Sequence, residues 1–218
     1  VLLAAPPWIH RSTDGGLTFS PVHRLRTDRG ILRHWAHRGD VVWFGEYGVG
    51  GGDHEVWRSD DAGATWDRLW TLPPSGEPGG GRHVHGVQVD PLGQPWVMVG
   101  DSDEDARFGP LVEGALVAVA AGGQASKATS LLFEPDGGVL WGADAPRGPW
   151  GLHRVRPGAD LGPTLVQELD GPVLWATHTL DGAAVSTEVE GEDVDGASLW
   201  WAPSGDPWRR VLRAPAWR

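Results

Sequence analysis

The chain has 218 residues and a formal net charge of −11, with 33 glycines, 18 prolines, 14 tryptophans and no cysteine. The negative charge argues against a nucleic-acid binder, which would be expected to carry a basic face, and the lack of cysteine excludes disulfides and thiolate chemistry. Apolar runs are short and broken by Gly, Pro and Asp, which predicts many short strands and no membrane span. Secreted and cytoplasmic locations both fit this composition.

Two stretches of nearly the same sequence occur early in the chain. Residues 12–19 spell STDGGLTF and residues 59–66 spell SDDAGATW. Short Ser and Asp side chains can accept hydrogen bonds from backbone N–H groups of a turn, and Gly permits a backbone conformation that a Cβ disfavours. The pattern predicts two hairpin turns with a structural Asp and a closing aromatic ring. Their key positions are Ser12, Asp14, Gly16, Thr18 and Phe19, and then Ser59, Asp61, Gly63, Thr65 and Trp66.

The spacing of such features predicts a repeat. Ser59 follows Ser12 by 47 residues, and Trp208 follows Trp66 by 142 residues, about three times that length. A period of 40–50 residues with several short strands is typical of β-propeller blades, which bury their faces by packing radially. We predict one domain over residues 1–218, with blades at residues 1–27, 30–72, 83–126, 129–170 and 173–218.

Strands are predicted within each of these blades. The first blade lacks its first strand and starts with a strand at residues 1–5; Val1 in place of Met fits a fragment or a processed form. The remaining predicted strands are 31–36, 41–44, 55–59 and 65–69; 83–89, 96–99 and 111–121; 130–133, 139–142, 151–155 and 164–169; and 173–179, 183–187, 198–201 and 208–212.

The pattern Ser-x-Asp-x-Gly-x-Thr-Trp resembles the Asp-box, or BNR repeat, of sialidase-like β-propellers, from which Phe19 is a mild departure. The runs HVHGVQVDP at residues 83–91 and WVMVGD at residues 96–101 are similar to a segment of bacterial proteins of this group, often labelled exo-sialidases. The resemblance implies an all-β propeller of four-stranded antiparallel blades. About five blades are expected, one of them incomplete, either as a closed ring or as part of a six-bladed ring.

The same resemblance implies where a ligand would bind. In sialidase-like families the ligand face is formed by the loops between second and third strands and by the entries to first strands. Mapped onto this chain, the candidate catalytic residues are Glu46, Tyr47, Asp101 and Asp144. The candidate ligand-binding residues are His34, His83, His85, Asp103, Arg147, Trp175 and His178.

The pair His83 and His85 has three interpretations. Residues i and i+2 of a strand point to the same side, so both rings could line a channel. They could be simple hydrogen-bonded side chains, which is the commonest case, or they could bind a metal or shuttle protons. The acidic loops 101–105 and 188–195 offer oxygens for Ca²⁺ but lack EF-hand spacing, so no cofactor is predicted.

Three functions stay open. The first is a ligand binder, most simply of a glycan, because Trp rings and carboxylates suit sugar recognition. The second is a glycoside hydrolase of the exo-sialidase type, which would use a Tyr nucleophile, a Glu, an Asp acid/base and three arginines. Adjacent Glu46 and Tyr47 point to opposite sides of a regular strand, and no three-arginine clamp is visible. The third is a scaffold that binds a protein partner.

Overall fold

The computed structural model describes residues 1–26, 34–48, 54–156, 163–191 and 193–216. In these ranges the chain is almost entirely β-structure, arranged as five separate antiparallel sheets that follow one another along the sequence. One 3₁₀ turn at Gln124–Ser126 interrupts the strands. Among the described residues, none of the helical structure is long and apolar enough to span a bilayer.

Among the described residues the first sheet has three strands in the order of the chain, in agreement with the prediction of one incomplete blade. The second sheet has four strands in sequence order. Its last strand begins at Asp67 rather than at Thr65, because Thr65 still bonds to Asp61 in the preceding turn. Residues 31–33 of its predicted first strand lie outside the described residues. The strands are β1 (Leu2–Ala5), β2 (Trp8–Arg11), β3 (Ser20–Arg24), β4 (Trp35–Arg38), β5 (Val41–Gly45), β6 (His54–Ser59) and β7 (Asp67–Leu72).

The third sheet corrects one prediction. The single strand predicted at residues 111–121 is broken into three pieces, and the chain reverses at Glu113 and Gly114. Both residues have positive φ, 51° and 78°, which a continuous strand cannot contain. The strands are β8 (Val84–Val89), β9 (Pro95–Val99), β10 (Arg107–Val112), β11 (Ala115–Leu116) and β12 (Ala120–Ala121).

The fourth and fifth sheets each have four strands in sequence order, close to the predicted bounds. The strand predicted at 164–169 and the one predicted at 173–179 match the observed strands residue for residue. The strands are β13 (Ala128–Phe133), β14 (Val139–Ala143), β15 (Trp150–Val155), β16 (Thr164–Leu169), β17 (Val173–Thr179), β18 (Gly182–Thr187), β19 (Gly196–Pro203) and β20 (Arg209–Pro215).

The chain forms two compact units, one of residues 1–101 and 108–118 and the other of residues 102–107 and 119–218. A core in the first unit joins the second and third sheets through side chains such as Trp43, Val56 and Val84. A core in the second unit joins the fourth and fifth sheets through Leu140, Leu152 and Val173. Within each unit, neighbouring sheets therefore bury their faces against each other. The single domain over residues 1–218 stays a prediction.

The two hairpin turns make matching hydrogen bonds. In the first, the Ser12 hydroxyl donates to Asp14 over 2.7 Å, and the Thr18 hydroxyl donates to the other Asp14 oxygen over 2.6 Å. In the second, the Ser59 hydroxyl donates to Asp61 over 2.8 Å and that of Thr65 over 2.7 Å. The backbone N–H of Thr65 also donates to Asp61. This bond contributes most, and together with the two hydroxyl bonds it lowers the pKa of Asp61 to about 2. The carboxylates of Asp14 and Asp61 therefore serve to hold their own turns.

The glycines of the turns differ in their surroundings. Gly16 and Gly63 both have positive φ and donate their N–H to the first Ser of the turn over 2.8 Å. A Cβ on Gly16 would meet no atom within 4 Å, whereas one on Gly63 would lie 2.6 Å from the side chain of Leu2. The second turn is therefore packed against β1, while the first is open.

Trp66 closes the second turn by entering an aromatic cluster. Its ring centroid lies 4.9 Å from that of Phe44 and 6.1 Å from that of Trp35. The imidazole of His23 packs edge-on against Trp57 in the same cluster, at 4.3 Å. Burial in this apolar setting lowers the pKa of His23, although the charge of Glu55 opposes the shift.

We expect His23 to make the stability of the first unit depend on pH. Because its folded pKa lies below the ordinary value of about 6.5, the unfolded chain binds more protons, and stability is lost as pH falls below that value. Urea unfolding at pH 7.5 and pH 5.5 measures this loss. His23→Phe should reduce the difference between the two pH values, while His37→Gln, at an exposed position, should leave it unchanged. An identical difference in His23→Phe would contradict the assignment.

Candidate functional site

A hairpin of the third sheet brings three candidate residues together in the first unit. His83 stands just before β8, His85 lies within β8, and Asp101 follows β9. The pairing of Val84 with Val99 aligns the two ends of the hairpin, and Gly100, with φ of 89°, turns the chain after β9. Asp101 is thereby placed beside both histidines.

A bulge in β8 sets the direction of His85. Val84 pairs with Val99 but Gly86 pairs with Met98, so His85 is the extra residue on its strand. Bulges re-aim side chains and are frequent beside functional sites. Regular alternation along a flat strand therefore does not explain why the imidazoles of His83 and His85 lie together.

Asp101 lies between the two imidazoles. Oδ1 of Asp101 is 3.0 Å from Nε2 of His85, and Oδ2 is 3.0 Å from Nε2 of His83. The contact to His85 is a hydrogen bond. The contact to His83 is close but misdirected, so the buried Nε2 of His83 makes no hydrogen bond among the described residues.

The burial of the cluster is uneven. His83 and His85 are 4% and 1% exposed, while the side chain of Asp101 keeps 24% of its surface exposed. Burial lowers the pKa of His83, against the opposing effect of Asp101. Burial alone would raise the pKa of Asp101, but the imidazoles of His83 and His85 beside it hold that pKa well below its usual range. Near neutral pH, Asp101 is therefore an ionised carboxylate at the surface end of the cluster.

Two further residues border this cluster. The ring of Tyr47 lies against that of His83, with centroids 3.8 Å apart, and Tyr47 is partly exposed. Nη1 of Arg82 is 3.6 Å from Oδ2 of Asp101, and its side chain is 65% exposed. His34, also in this unit, packs over the Gly86 backbone. We call Tyr47, Arg82, His83, His85 and Asp101 the His–Asp site.

Glu46 and Tyr47 are adjacent in sequence but contact different neighbours. Glu46 is 1% exposed, and its Oε1 accepts the backbone N–H of Arg26 over 3.1 Å. Burial raises the pKa of Glu46, and the nearby charge of Glu55 adds to the effect. Tyr47 instead contacts His83. The backbone of Glu46 also accepts the N–H of Val84 over 3.4 Å, which ties β8 to this segment.

The other candidate residues lie in the second unit. Asp103 accepts a hydrogen bond from Gln124 over 2.7 Å, and Asp144 lies 3.7 Å from the Lys127 ammonium. The remaining three are exposed there: Arg147, Trp175 and His178.

Sequence reasoning did not include Arg82 in the site. It directly precedes His83, and that position next to a paired-histidine segment was the available signal. In the described part of the chain, the three-residue group able to hold a metal is His83, His85 and Asp101. In the acidic loop 101–105, Asp105 already accepts bonds from the backbone and the hydroxyl of Ser102. Residue 192 of the loop 188–195 lies outside the described residues.

No family model matches the sequence, and no curated protein matches it. Solved structures do match in fold. A periplasmic gluconolactonase of Pseudomonas aeruginosa is 13% identical, with a TM-score of 0.59 over 97% of this chain and 64% of its own. TolB of Acinetobacter baumannii is 11% identical, with a TM-score of 0.59 over 95% of this chain and 48% of its own.

A xyloglucanase of Xanthomonas campestris is 16% identical, with a TM-score of 0.53 over 94% of this chain and 34% of its own. The chain thus spans less than two thirds of each of these three proteins. At such identities the likeness concerns the fold alone, and these neighbours share one architecture while their functions differ. The chain is a β-propeller built from four-stranded antiparallel blades; in the described residues the first blade has three strands and the third carries the additional short strand β12.

Proposed function

We propose that this chain is an Asp-box propeller of the sialidase-like type that binds a carbohydrate at the His–Asp site. The observation that carries the proposal is the partly exposed ring of Tyr47 next to the partly exposed carboxylate of Asp101. An aromatic face packs against the apolar face of a sugar ring, and a carboxylate accepts hydrogen bonds from its hydroxyls. Arg82 supplies donors at the rim.

The Asp-box assignment is supported by the two hairpin turns. They share the residues Ser, Asp, Gly and Thr at the same spacing, 47 residues apart, and they make the same side-chain hydrogen bonds. The carboxylates of Asp14 and Asp61 accept hydrogen bonds within their own turns, so we assign ligand binding to other residues. This is why the proposal places the ligand at the His–Asp site rather than at the turns.

The charge of the site favours a neutral sugar. Asp101 is ionised, and the chain as a whole carries a net charge of −11. An anionic glycan would meet repulsion from both, which the exposed Arg82 offsets in part. We therefore expect neutral oligosaccharides to bind more tightly than sialosides.

A glycan array followed by calorimetry with the best neutral oligosaccharide tests the proposal. Tyr47→Ala should weaken binding at least about fivefold, since an aromatic contact contributes on the order of 1 kcal/mol, and Asp101→Asn should also weaken it. Phe19→Ala, which removes an exposed aromatic ring elsewhere, is the matched control and should bind like the wild type. An array without signal above background, or a Tyr47→Ala variant that binds the oligosaccharide as tightly as the wild type, would contradict the proposal.

A glycoside hydrolase is the second candidate, favoured by one observation. Two carboxyl groups of the first unit have pKa values shifted apart, since burial raises that of Glu46 while the histidines lower that of Asp101. Such a division is what a general acid and an ionised partner need. Turnover of fluorogenic neutral glycosides, or of a sialoside, that disappears in both Glu46→Gln and Asp101→Asn would support it. Turnover that persists in either variant, or none in the wild type, would reject it.

A further inference from the structure

We propose that His83, His85 and Asp101 bind one divalent transition-metal ion, for which Zn²⁺ is the best fit. The two imidazole nitrogens and a carboxylate oxygen all lie within 4.8 Å of one another. The inference goes beyond the carbohydrate proposal and does not need a sugar to be bound; the charge argument for neutral sugars applies to the site without the ion.

The distances suit a small ion. Tetrahedral Zn²⁺ with bonds of about 2.0–2.1 Å holds neighbouring ligand atoms about 3.3 Å apart. Each Nε2 now lies 3.0 Å from an oxygen of Asp101. An ion would therefore enter by replacing the Nε2 protons, and the ligand atoms, which now lie within 4.8 Å of one another, would close around it to about 3.3 Å.

The state of His83 is a second, independent observation. Its ring is 4% exposed, and its Nε2 has no hydrogen-bond partner among the described residues although it lies 3.0 Å from Oδ2 of Asp101. An unsatisfied buried polar atom is costly. A metal ion would bind this nitrogen in place of its proton and so remove that cost.

The donor set selects the class of metal. Ca²⁺ and Mg²⁺ prefer sites made of oxygen alone, whereas two imidazoles with one carboxylate suit Zn²⁺ with one position left open. The carboxylate of Asp101 is the exposed edge of the cluster, so an ion has an entry path and an exchangeable ligand there. The guanidinium of Arg82, 3.6 Å from Asp101, is 65% exposed, and solvent weakens its repulsion of a cation.

Calorimetric titration of the chelator-treated full chain with Zn²⁺ alone tests the site. We expect one ion per chain, and a loss of affinity of at least about 100-fold in His83→Asn, His85→Asn and Asp101→Asn, because each removes a direct ligand. His37→Asn removes an exposed imidazole outside the cluster and should bind Zn²⁺ like the wild type. No uptake of Zn²⁺ by the wild type, or unchanged affinity in all three ligand variants, would refute the site.

Far-UV circular dichroism of each variant separates ligand loss from misfolding. If a histidine variant fails to fold, Co²⁺ spectroscopy of the wild type decides: intense d–d bands of a low-coordinate nitrogen/oxygen site support the proposal, and the weak spectrum of hydrated Co²⁺ overturns it. Since no sugar is present, these outcomes leave the carbohydrate proposal to its own test. Zn²⁺ binding without glycan binding would keep the metal site and reject only the sugar.

Discussion

Trp66→Ala is expected to lower the free energy of unfolding by about 3 kcal/mol, the lower end of the range for removing a large aromatic side chain from a core, because Trp66 is partly buried. Its ring makes edge-on contacts with Phe44 and Trp35, and it packs on the small core that joins the first and second sheets through Ile9 and Leu25. The substitution would leave a cavity between two blades. Far-UV circular dichroism during urea unfolding measures the change.

The internal repeat supplies the control for this prediction. Phe19 closes the first turn as Trp66 closes the second, but it is 37% exposed. Phe19→Ala should therefore cost about 1 kcal/mol or less, since only part of an aromatic surface returns to water. Similar losses in the two variants would mean that the closing ring acts through the turn rather than through the aromatic cluster.

The repeat explains why the fold was predictable from the sequence. Ser, Asp and Gly fix a turn by local hydrogen bonds, so each hairpin is encoded within eight residues. The short apolar runs along the rest of the chain then give the strands of the other sheets, and the fold class is confirmed. The break at Glu113 escaped prediction because a non-glycine residue with positive φ leaves no clear sequence signal.

The candidate site was only partly predictable, because it depends on contacts between distant residues. The bulge at His85 and the turn at Gly100 bring Asp101 to both histidines, and neither can be derived from alternation along a strand. The sequence did assign the pair His83 and His85, with Asp101 and Tyr47, to one expected ligand face, but together with residues such as Trp175 that lie in the second unit. The direct contacts among the four, and the inclusion of Arg82, required the structure.

The packing of neighbouring sheets rests on two glycines that face the first strand of the next sheet. A Cβ on Gly45 of β5 would overlap Cγ1 of Val84 and lie 3.0 Å from its Cβ. A Cβ on Gly142 of β14 would overlap both Cβ and Cγ2 of Val173. Neither glycine has the positive φ that side chains avoid, so the expected cost of a substitution is steric alone.

We expect Gly45→Ala and Gly142→Ala each to lower the free energy of unfolding by about 3 kcal/mol, at the upper end of the cost of overpacking a core. The two sites should then respond differently to a second substitution. Val84→Ala removes the overlapping Cγ1, so the double variant Gly45→Ala/Val84→Ala should be more stable than the sum of the two single effects by about 1 kcal/mol. Val173→Ala leaves the overlapping Cβ in place, so it should rescue Gly142→Ala little.

The Gly45 contact also connects packing to the proposed function. Val84 stands between His83 and His85, and Tyr47 follows Gly45 by two residues. The close approach of the second and third sheets therefore sets the 3.8 Å contact between Tyr47 and His83. Gly45→Ala should weaken glycan binding in the protein that still folds, and Val84→Ala should restore part of it. Rescue of stability without any rescue of binding would show that the Tyr47 contact does not depend on this approach.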